Sequence, residues 1–269
     1  MAGQPVSVEI LLSPDMARRG QKILSAMVSA ARPAGVRAIV NTKYSQAAPI
    51  LMTYGVGHRE RRQWIERHRE SGGRVIAWDL GYWDRDVSVM FNMRVTIDHD
   101  HPWRLIRPED PQRFDSQGIR LRNDHDPDGP IILCGLGPKQ RAYKNLVGRE
   151  WEVSKLAELR DRFPRRRILY RPKKDEPPMP GCQTSIGPIE QAIRGASLVV
   201  CAHSNVAVDA CIAGIPVECE DGAAFALYRN NPSPTEDERR DFLRSLAWWQ
   251  WKPHEARQAW KYLLSRLSG

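Results

Sequence analysis

The sequence predicts an α/β protein in which two sheets of parallel strands are each flanked by helices. Short apolar runs alternate with longer, more polar helical segments, which is the pattern of strands joined by crossover helices. The alternation is interrupted between Pro102 and Pro130 by a stretch rich in Pro, Asp, Arg and Asn. The 269 residues suffice for one large domain or two of about 100–150 residues. We therefore expect two α/β halves divided near residue 128.

The first half should contain four strands and two helices. Each strand is a short apolar run bounded by Gly, Pro or polar residues, and a Ser13-Pro14-Asp15 cap is expected before the first helix. The strands are predicted over residues 6–12, 35–40, 49–54 and 74–78, and the helices from this cap to about residue 31 and over residues 59–71.

The second half repeats the alternation and ends in helices. Gly214 is the expected C-terminal stop of one helix. Strands are predicted over residues 130–134, 167–170, 197–202 and 215–219, and helices over residues 151–162, 186–194, 205–213, 235–246 and 253–267. The tryptophans near the C-terminus could stack on bases or sugars, but packing of a terminal helix onto a core is the favoured interpretation.

The amino-acid composition restricts the kinds of partner and site that we expect. The formal net charge is +9, from 41 basic and 32 acidic residues, which suits a partner that carries phosphate but also serves solubility. Five cysteines without a Cys-x-x-Cys pair argue against a disulfide framework or a structural zinc site. No transmembrane run or signal peptide is recognisable, so we expect no membrane partner and a cytoplasmic location.

The segment from His203 to Asp209 is the sharpest candidate for a ligand site. A strand runs into His203-Ser204-Asn205, where a helix begins. Helix N-termini present free N–H groups and a partial positive charge, so phosphate fits there. Asp209 follows about one turn later and could accept hydrogen bonds from ribose hydroxyls. The alternative is an ordinary helix cap followed by a solvated carboxylate.

This segment resembles the donor-binding half of GT-B glycosyltransferases. The matching pattern is Ser-x-x-x-x-Asp-Ala followed by Ala-Gly-x-Pro-Val, and Kdo-transferase-like and epimerase-like relatives carry a similar one. The resemblance implies two Rossmann-like halves with a cleft between them and C-terminal helices that cross back. It also implies that Ser204 holds the nucleotide phosphate and Asp209 the ribose. Residues 1–128 would then be the acceptor domain, 129–247 the donor domain, and 248–269 the helix packing back on the first domain.

Two further turns supply candidate donor ligands. In sialyl- and Kdo-transferase-like GT-B proteins a His-Pro or Arg-Pro pair contacts the donor phosphate, and Arg171 and Lys173 stand at the matching place, although the His is absent. Gly135 and Gly137 would let the backbone approach a ligand, and Lys139 could reach a phosphate. This Gly-x-Gly completes neither a dinucleotide fingerprint nor a Walker A pattern.

The first half should supply the base for sugar transfer. A general base must reach the acceptor hydroxyl, and Asp79 directly follows an apolar strand, so it is the first candidate, with His58 second. Asp98-x-Asp100 could instead be a GT-A metal motif, and His99-x-His101 a metal pair. Neither pair is accompanied by further candidate ligands at a spacing typical of a metal site, so we expect that no metal is required.

Together these observations predict a metal-independent glycosyltransferase that uses a nucleotide sugar, with a UDP-sugar favoured. The region from Ser204 to Trp251 also resembles phage and prophage proteins of GT-B type. With the positive charge, this favours DNA carrying a hydroxymethylated pyrimidine, such as 5-hydroxymethylcytosine, as acceptor, with its backbone held in a basic cleft and the base flipped out or otherwise exposed. A phage-encoded enzyme would act in the host cytoplasm. The alternatives are a Kdo-like transferase acting on a surface glycan, and a non-catalytic nucleotide- or nucleic-acid-binding module.

Overall fold

The computed structural model describes residues 5–85, 91–173 and 176–267, and strands alternate with helices through most of them. The described strands are β1 (Val6–Leu11), β2 (Val36–Asn41), β3 (Ile50–Tyr54), β4 (Arg74–Leu80), β5 (Met93–Ile97), β6 (Ile131–Cys134), β7 (Ile168–Arg171), β8 (Gln183–Thr184), β9 (Leu198–Cys201), β10 (Val217–Cys219) and β11 (Gln250–Trp251). The described α-helices are α1 (Arg18–Ala31), α2 (Arg59–Glu70), α3 (Gln112–Asp115), α4 (Pro138–Tyr143), α5 (Glu150–Arg162), α6 (Ile189–Ile193), α7 (Val206–Ala213), α8 (Phe225–Tyr228), α9 (Glu236–Leu246) and α10 (Ala256–Leu267).

The first of two compact units combines the chain up to Pro102 with the segment from Ala247 onward. Its six-stranded sheet has the order β11-β5-β4-β3-β1-β2. The strands β1 to β4 pair in parallel, as predicted. In contrast, β5 pairs antiparallel with β4, and β11 antiparallel with β5. Both antiparallel strands were missed: β11 has only two residues, and the run Met93–Ile97 was passed over although its apolar and polar residues alternate as in a strand.

The C-terminal segment packs within this first unit. Helix α10 lies against α1, and the Trp260 indole N–H donates a hydrogen bond to the Met27 carbonyl at 2.8 Å. Trp249, Trp251 and Trp260 are all buried. The packing interpretation of the C-terminal tryptophans is therefore confirmed, and their rings form part of the core.

A buried carboxylate fastens a loop to β1 in the same unit. Glu9 has no exposed surface. It accepts hydrogen bonds from the Asn41 side chain at 2.9 Å, from the backbone and hydroxyl of Ser45 at 2.8 Å and from the Ala47 N–H at 2.9 Å. Burial opposes ionisation of Glu9, but these hydrogen bonds outweigh it and lower its pKa. The segment between β2 and β3 is thus anchored to β1, inside the edge strand β2.

The second compact unit is Trp103–Leu246. Its five strands are all parallel and have the order β10-β9-β6-β7-β8. Every residue of α7 is buried, as expected for a helix that is apolar all round except at Asp209. Gly214 ends this helix with a left-handed φ of 75°, as predicted. The structure is therefore mixed α/β with two largely parallel sheets, whereas the cleft between the halves stays a prediction.

Residues 103–128 belong to the second unit, although the sequence suggests a division near residue 128. The Arg122 N–H donates to the Ile212 carbonyl and the Asp124 N–H to the Ala213 carbonyl, each at 2.8 Å. These bonds tie the proline-rich stretch to the end of α7, a long-range contact that composition cannot indicate. None of the described helices is long and apolar enough to cross a membrane.

Candidate functional site

The carboxyl ends of β6, β7, β9 and β10 lie side by side at one edge of the second sheet. The strands are parallel neighbours, so the turns that follow them must meet there, where open α/β sheets bind ligands. The turn after β6 is Gly135-Leu136-Gly137, which we call the glycine turn. The turn after β7 carries Lys173, and the one after β9 leads into α7 through His203, Ser204 and Asn205.

Lys173 and Ser204 are brought together at this edge. The Lys173 ammonium donates a hydrogen bond to Ser204 Oγ at 3.2 Å, and the same oxygen accepts from the Val206 N–H at 3.4 Å, at the start of α7. A methyl group added at Gly137 would lie 3.6 Å from Lys173 Cγ. Lys173 therefore contacts the start of α7 and lies close to the glycine turn, two segments that are far from it in sequence.

The charges predicted for this edge converge on the end of β6. The pKa of the Cys134 thiol is raised to about 11, mainly by burial. Lys173 and Arg171 act to lower it, and Asp209 acts to raise it. All three charges thus lie within electrostatic range of Cys134, the last residue of β6. Arg171 also donates to the Gly187 carbonyl at 2.7 Å.

The remaining donor-site candidates differ in exposure. Asp209 is only 8% exposed, inside the buried helix α7, so its carboxylate is less accessible than a solvated helix residue. His203 and Asn205 are half-buried on either side of Ser204. Lys139 is exposed on α4 and, within the described part of the chain, makes no hydrogen bond or ion pair.

Gly135 has a packing requirement that the sequence does not reveal. A Cβ atom there would lie 2.2 Å from the Tyr170 hydroxyl oxygen and 2.8 Å from its Cζ, and Tyr170 is fully buried in the core of the second unit. The absence of a side chain at Gly135 therefore makes room for a tyrosine ring.

Asp79 lies at the carboxyl edge of the first sheet, within β4. One carboxylate oxygen accepts the Leu80 N–H at 2.7 Å, and the other pairs with Arg94 Nη2 at 3.2 Å. Arg94 Nη1 lies 2.8 Å from His101 Nδ1; because a guanidinium only donates, this nitrogen is the acceptor. Asp79 is 28% exposed, and Arg94 holds its carboxylate in one orientation.

Other ionisable groups gather at the same edge of the first sheet. Burial raises the pKa of Tyr54 to about 12, and the Asp79 charge adds to this effect. His58 precedes α2, and its Nδ1 is buried without a hydrogen bond among the described residues. A hydrogen bond from Ser13 is the main cause of the lowered pKa of Asp15, with smaller contributions from Arg61 and His58.

The two acidic residues of the possible metal motif are paired with arginines. Asp98 pairs with Arg74 and also accepts the Val75 N–H at 2.7 Å. Asp100 pairs with Arg62 at 2.9 Å. Across the described ranges, no group of three or more His, Cys, Asp or Glu side chains is arranged to hold a metal ion.

The chain resembles two Kdo transferases in fold. KpsC of Thermosulfurimonas dismutans, a beta Kdo 2,7 transferase, matches with a TM-score of 0.56 and 14% identity over 96% of this chain and 99% of that one. The beta Kdo 2,4 transferase of the same KpsC matches with a TM-score of 0.52 and 11% identity over 90% of each chain. No protein-family model matches the sequence, and no curated protein does either. At these identities the likeness concerns the fold alone.

Sequence reasoning missed several charged groups at both edges. In the second unit, Glu220 follows β10 and accepts hydrogen bonds from the Trp151 indole at 2.6 Å and from Lys144 at 3.0 Å. Burial opposes its ionisation, but these donors outweigh it and lower its pKa. Arg94 was missed in the first unit. Its role depends on the antiparallel pairing of β4 with β5, which leaves no local signal in the sequence.

Proposed function

We propose that the chain is a glycosyltransferase that binds the phosphate of a nucleotide sugar at the carboxyl edge of the second sheet. The observation that carries this proposal is the hydrogen bond between Lys173 and Ser204 at the start of α7. Phosphate oxygens are stronger acceptors than a hydroxyl, so a bound phosphate would compete for the lysine. The helix N-terminus would favour its charge further. The fold shared with Kdo transferases supports this assignment.

In this proposal the side chains stabilise charge on the donor phosphate and remove a proton from the acceptor hydroxyl. Negative charge grows on the donor phosphate as the sugar leaves, and Lys173 and Arg171 would stabilise that charge. Asp209 would contact the ribose. Asp79 is the proposed base for the acceptor hydroxyl and His58 the second candidate. No step in this scheme needs a metal ion.

The acceptor that we propose to test first is a hydroxyl of a glycan. The structural neighbours are named as Kdo transferases, which favours the surface-glycan alternative over DNA. Hydroxymethylated DNA remains the second acceptor, supported by the net charge of +9. A UDP-sugar is the donor favoured from the sequence, and CMP-linked sugars belong in the same screen.

A thermal-shift screen would test the donor site. UDP, GDP, CMP and their sugar conjugates are each added to the wild-type chain, to Ser204→Ala and to Lys173→Ala. A ligand at about 100 times its dissociation constant adds roughly 2.7 kcal/mol to stability. We expect a shift in the wild type that is much reduced in both variants. Ser154, exposed on α5, supplies the control Ser154→Ala, which should shift as the wild type does.

The outcome of the screen distinguishes three hypotheses about function. No shift with any nucleotide would refute the donor site. A shift together with slow hydrolysis of one sugar nucleotide would support the transferase. Binding without hydrolysis, even when glycan or hydroxymethylated DNA acceptors are added, would instead favour a non-catalytic binding module.

A further inference from the structure

Arg141 joins the glycine turn to the turn that carries Lys173. Its side chain is 12% exposed. Nη2 donates to the Leu136 carbonyl at 2.8 Å and to Glu152 Oε1 at 3.1 Å, while Nη1 donates to Glu176 Oε2 at 2.8 Å. One guanidinium therefore contacts groups that follow two different strands.

The glycine turn is held through both backbone groups of its middle residue. The Leu136 N–H donates to Glu152 Oε1 at 3.0 Å, and the Leu136 carbonyl accepts from Arg141. Glu152, on α5, has no exposed surface. The position of this backbone therefore depends on a buried ion pair.

The other end of the network reaches the proposed phosphate ligand. Glu176 is 12% exposed, and its backbone N–H donates to the Lys173 carbonyl at 3.0 Å. A displacement of Glu176 would thus be transmitted to the Lys173 backbone. The ion pair between Arg141 and Glu176 fixes that backbone relative to the glycine turn.

This network is poorly suited to a purely stabilising role. Buried ion pairs are often no more stable than apolar side chains of similar volume, because both ions lose their hydration. The directional contacts of this network with two turns are what an apolar cluster could not supply.

We propose that Arg141 and Glu176 are positioning residues of the donor site. They hold Lys173 against the glycine turn, so that the ammonium and the turn's backbone act on the same phosphate. This inference rests on the proposed function, because it requires a nucleotide to bind at this edge.

A double-mutant cycle on nucleotide affinity tests the inference. The variants are Glu176→Ala, Lys173→Ala and their combination, and the probes are UDP and CMP, each titrated by calorimetry. Glu176→Ala leaves the Arg141–Glu152 pair intact, so folding should be retained. If it does not fold, Glu176→Gln, which keeps an oxygen acceptor, replaces it in the same cycle. Glu158→Ala is the matched control, because Glu158 pairs with Lys155 and Arg162 at the surface of α5.

We expect Glu176→Ala to weaken binding about tenfold when Lys173 is present and by much less when Lys173 is absent. Glu158→Ala should bind as the wild type does. Equal losses in both backgrounds, or no loss at all, would overturn the positioning role while leaving the donor site in place. Absence of binding by the wild type would remove the proposed function, and this inference with it.

Discussion

Replacement of Gly135 by alanine should destabilise the second unit through a single contact. The added Cβ would lie 2.2 Å from the Tyr170 hydroxyl oxygen and 2.8 Å from Cζ, both closer than the sum of atomic radii allows. Tyr170 is fully buried and cannot swing into solvent. Overpacking of this kind typically costs about 1–3 kcal/mol of unfolding free energy, and we expect Gly135→Ala to fall in that range.

Removal of the Tyr170 hydroxyl group should restore part of the unfolding free energy that Gly135→Ala loses. The Tyr170 oxygen has no hydrogen-bond partner among the described residues, so Tyr170→Phe alone should be nearly neutral. In the double variant the shortest contact becomes the one to Cζ, at 2.8 Å, which relieves only part of the overlap. We therefore expect the second substitution to restore about 1 kcal/mol, well above the ~0.3–0.5 kcal/mol scatter of additive pairs.

Urea unfolding followed by circular dichroism gives the free energy of unfolding of the wild type, the two single variants and the double variant. Gly137→Ala is the control in the same turn, because its Cβ would meet Lys173 Cγ at an ordinary 3.6 Å and its φ is −90°. Its effect should be smaller than that of Gly135→Ala. Equal destabilisation by Gly135→Ala in the Tyr170 and Phe backgrounds would refute the steric explanation. Wild-type nucleotide affinity in the double variant would show that Gly135 serves packing rather than ligand approach.

Three further predictions concern the base, acid stability and metal dependence. Asp79→Asn should lower kcat for sugar transfer by about 100-fold or more, with nucleotide affinity by calorimetry unchanged; unchanged kcat would exclude Asp79 as base. Because the folded-state pKa of Glu9 is lowered, its stabilisation is present above the unfolded-state value and is lost as pH falls through the folded one. Glu9→Gln should therefore lower the free energy of unfolding, measured with urea, at neutral pH, and this free energy should fall less steeply below about pH 4.5 than in the wild type. The same pH dependence in the variant and the wild type would contradict this. EDTA should leave the initial rate of sugar transfer unchanged. If EDTA abolished the transfer rate and added Mg²⁺ restored it, the reaction would require a metal ion.

The elements that the sequence predicts well are those whose signal is local. The apolar runs that become β6, β7 and β9 and the glycine stop after α7 each depend on a few neighbouring residues. Strand β5 has a local signal as well, the apolar and polar alternation of Met93–Ile97, but its antiparallel pairing with β4 and β11 has none.

The same distinction applies to the candidate site. Lys173 and Ser204 could be proposed from their places after two strands, and the fold brings them within 3.2 Å. Arg141 and Glu152 could not, because a charged residue in a helix usually indicates a solvated face. Only the packing of α5 behind the glycine turn turns Glu152 inward, and no periodicity encodes that contact.

The placement of β11 has a consequence for synthesis on the ribosome. The sheet of the first unit is completed by Gln250 and Trp251, and Trp260 covers α1, so the early strands emerge without their final partners. The contiguous residues 103–246 are made in between, which takes on the order of ten seconds at ~5–20 residues per second. During that interval the edge of β5 and the apolar face of α1 stay uncovered. The nascent first unit should therefore be a substrate for chaperones until Gln250 to Trp260 have left the ribosome, whereas the second unit can fold before they do.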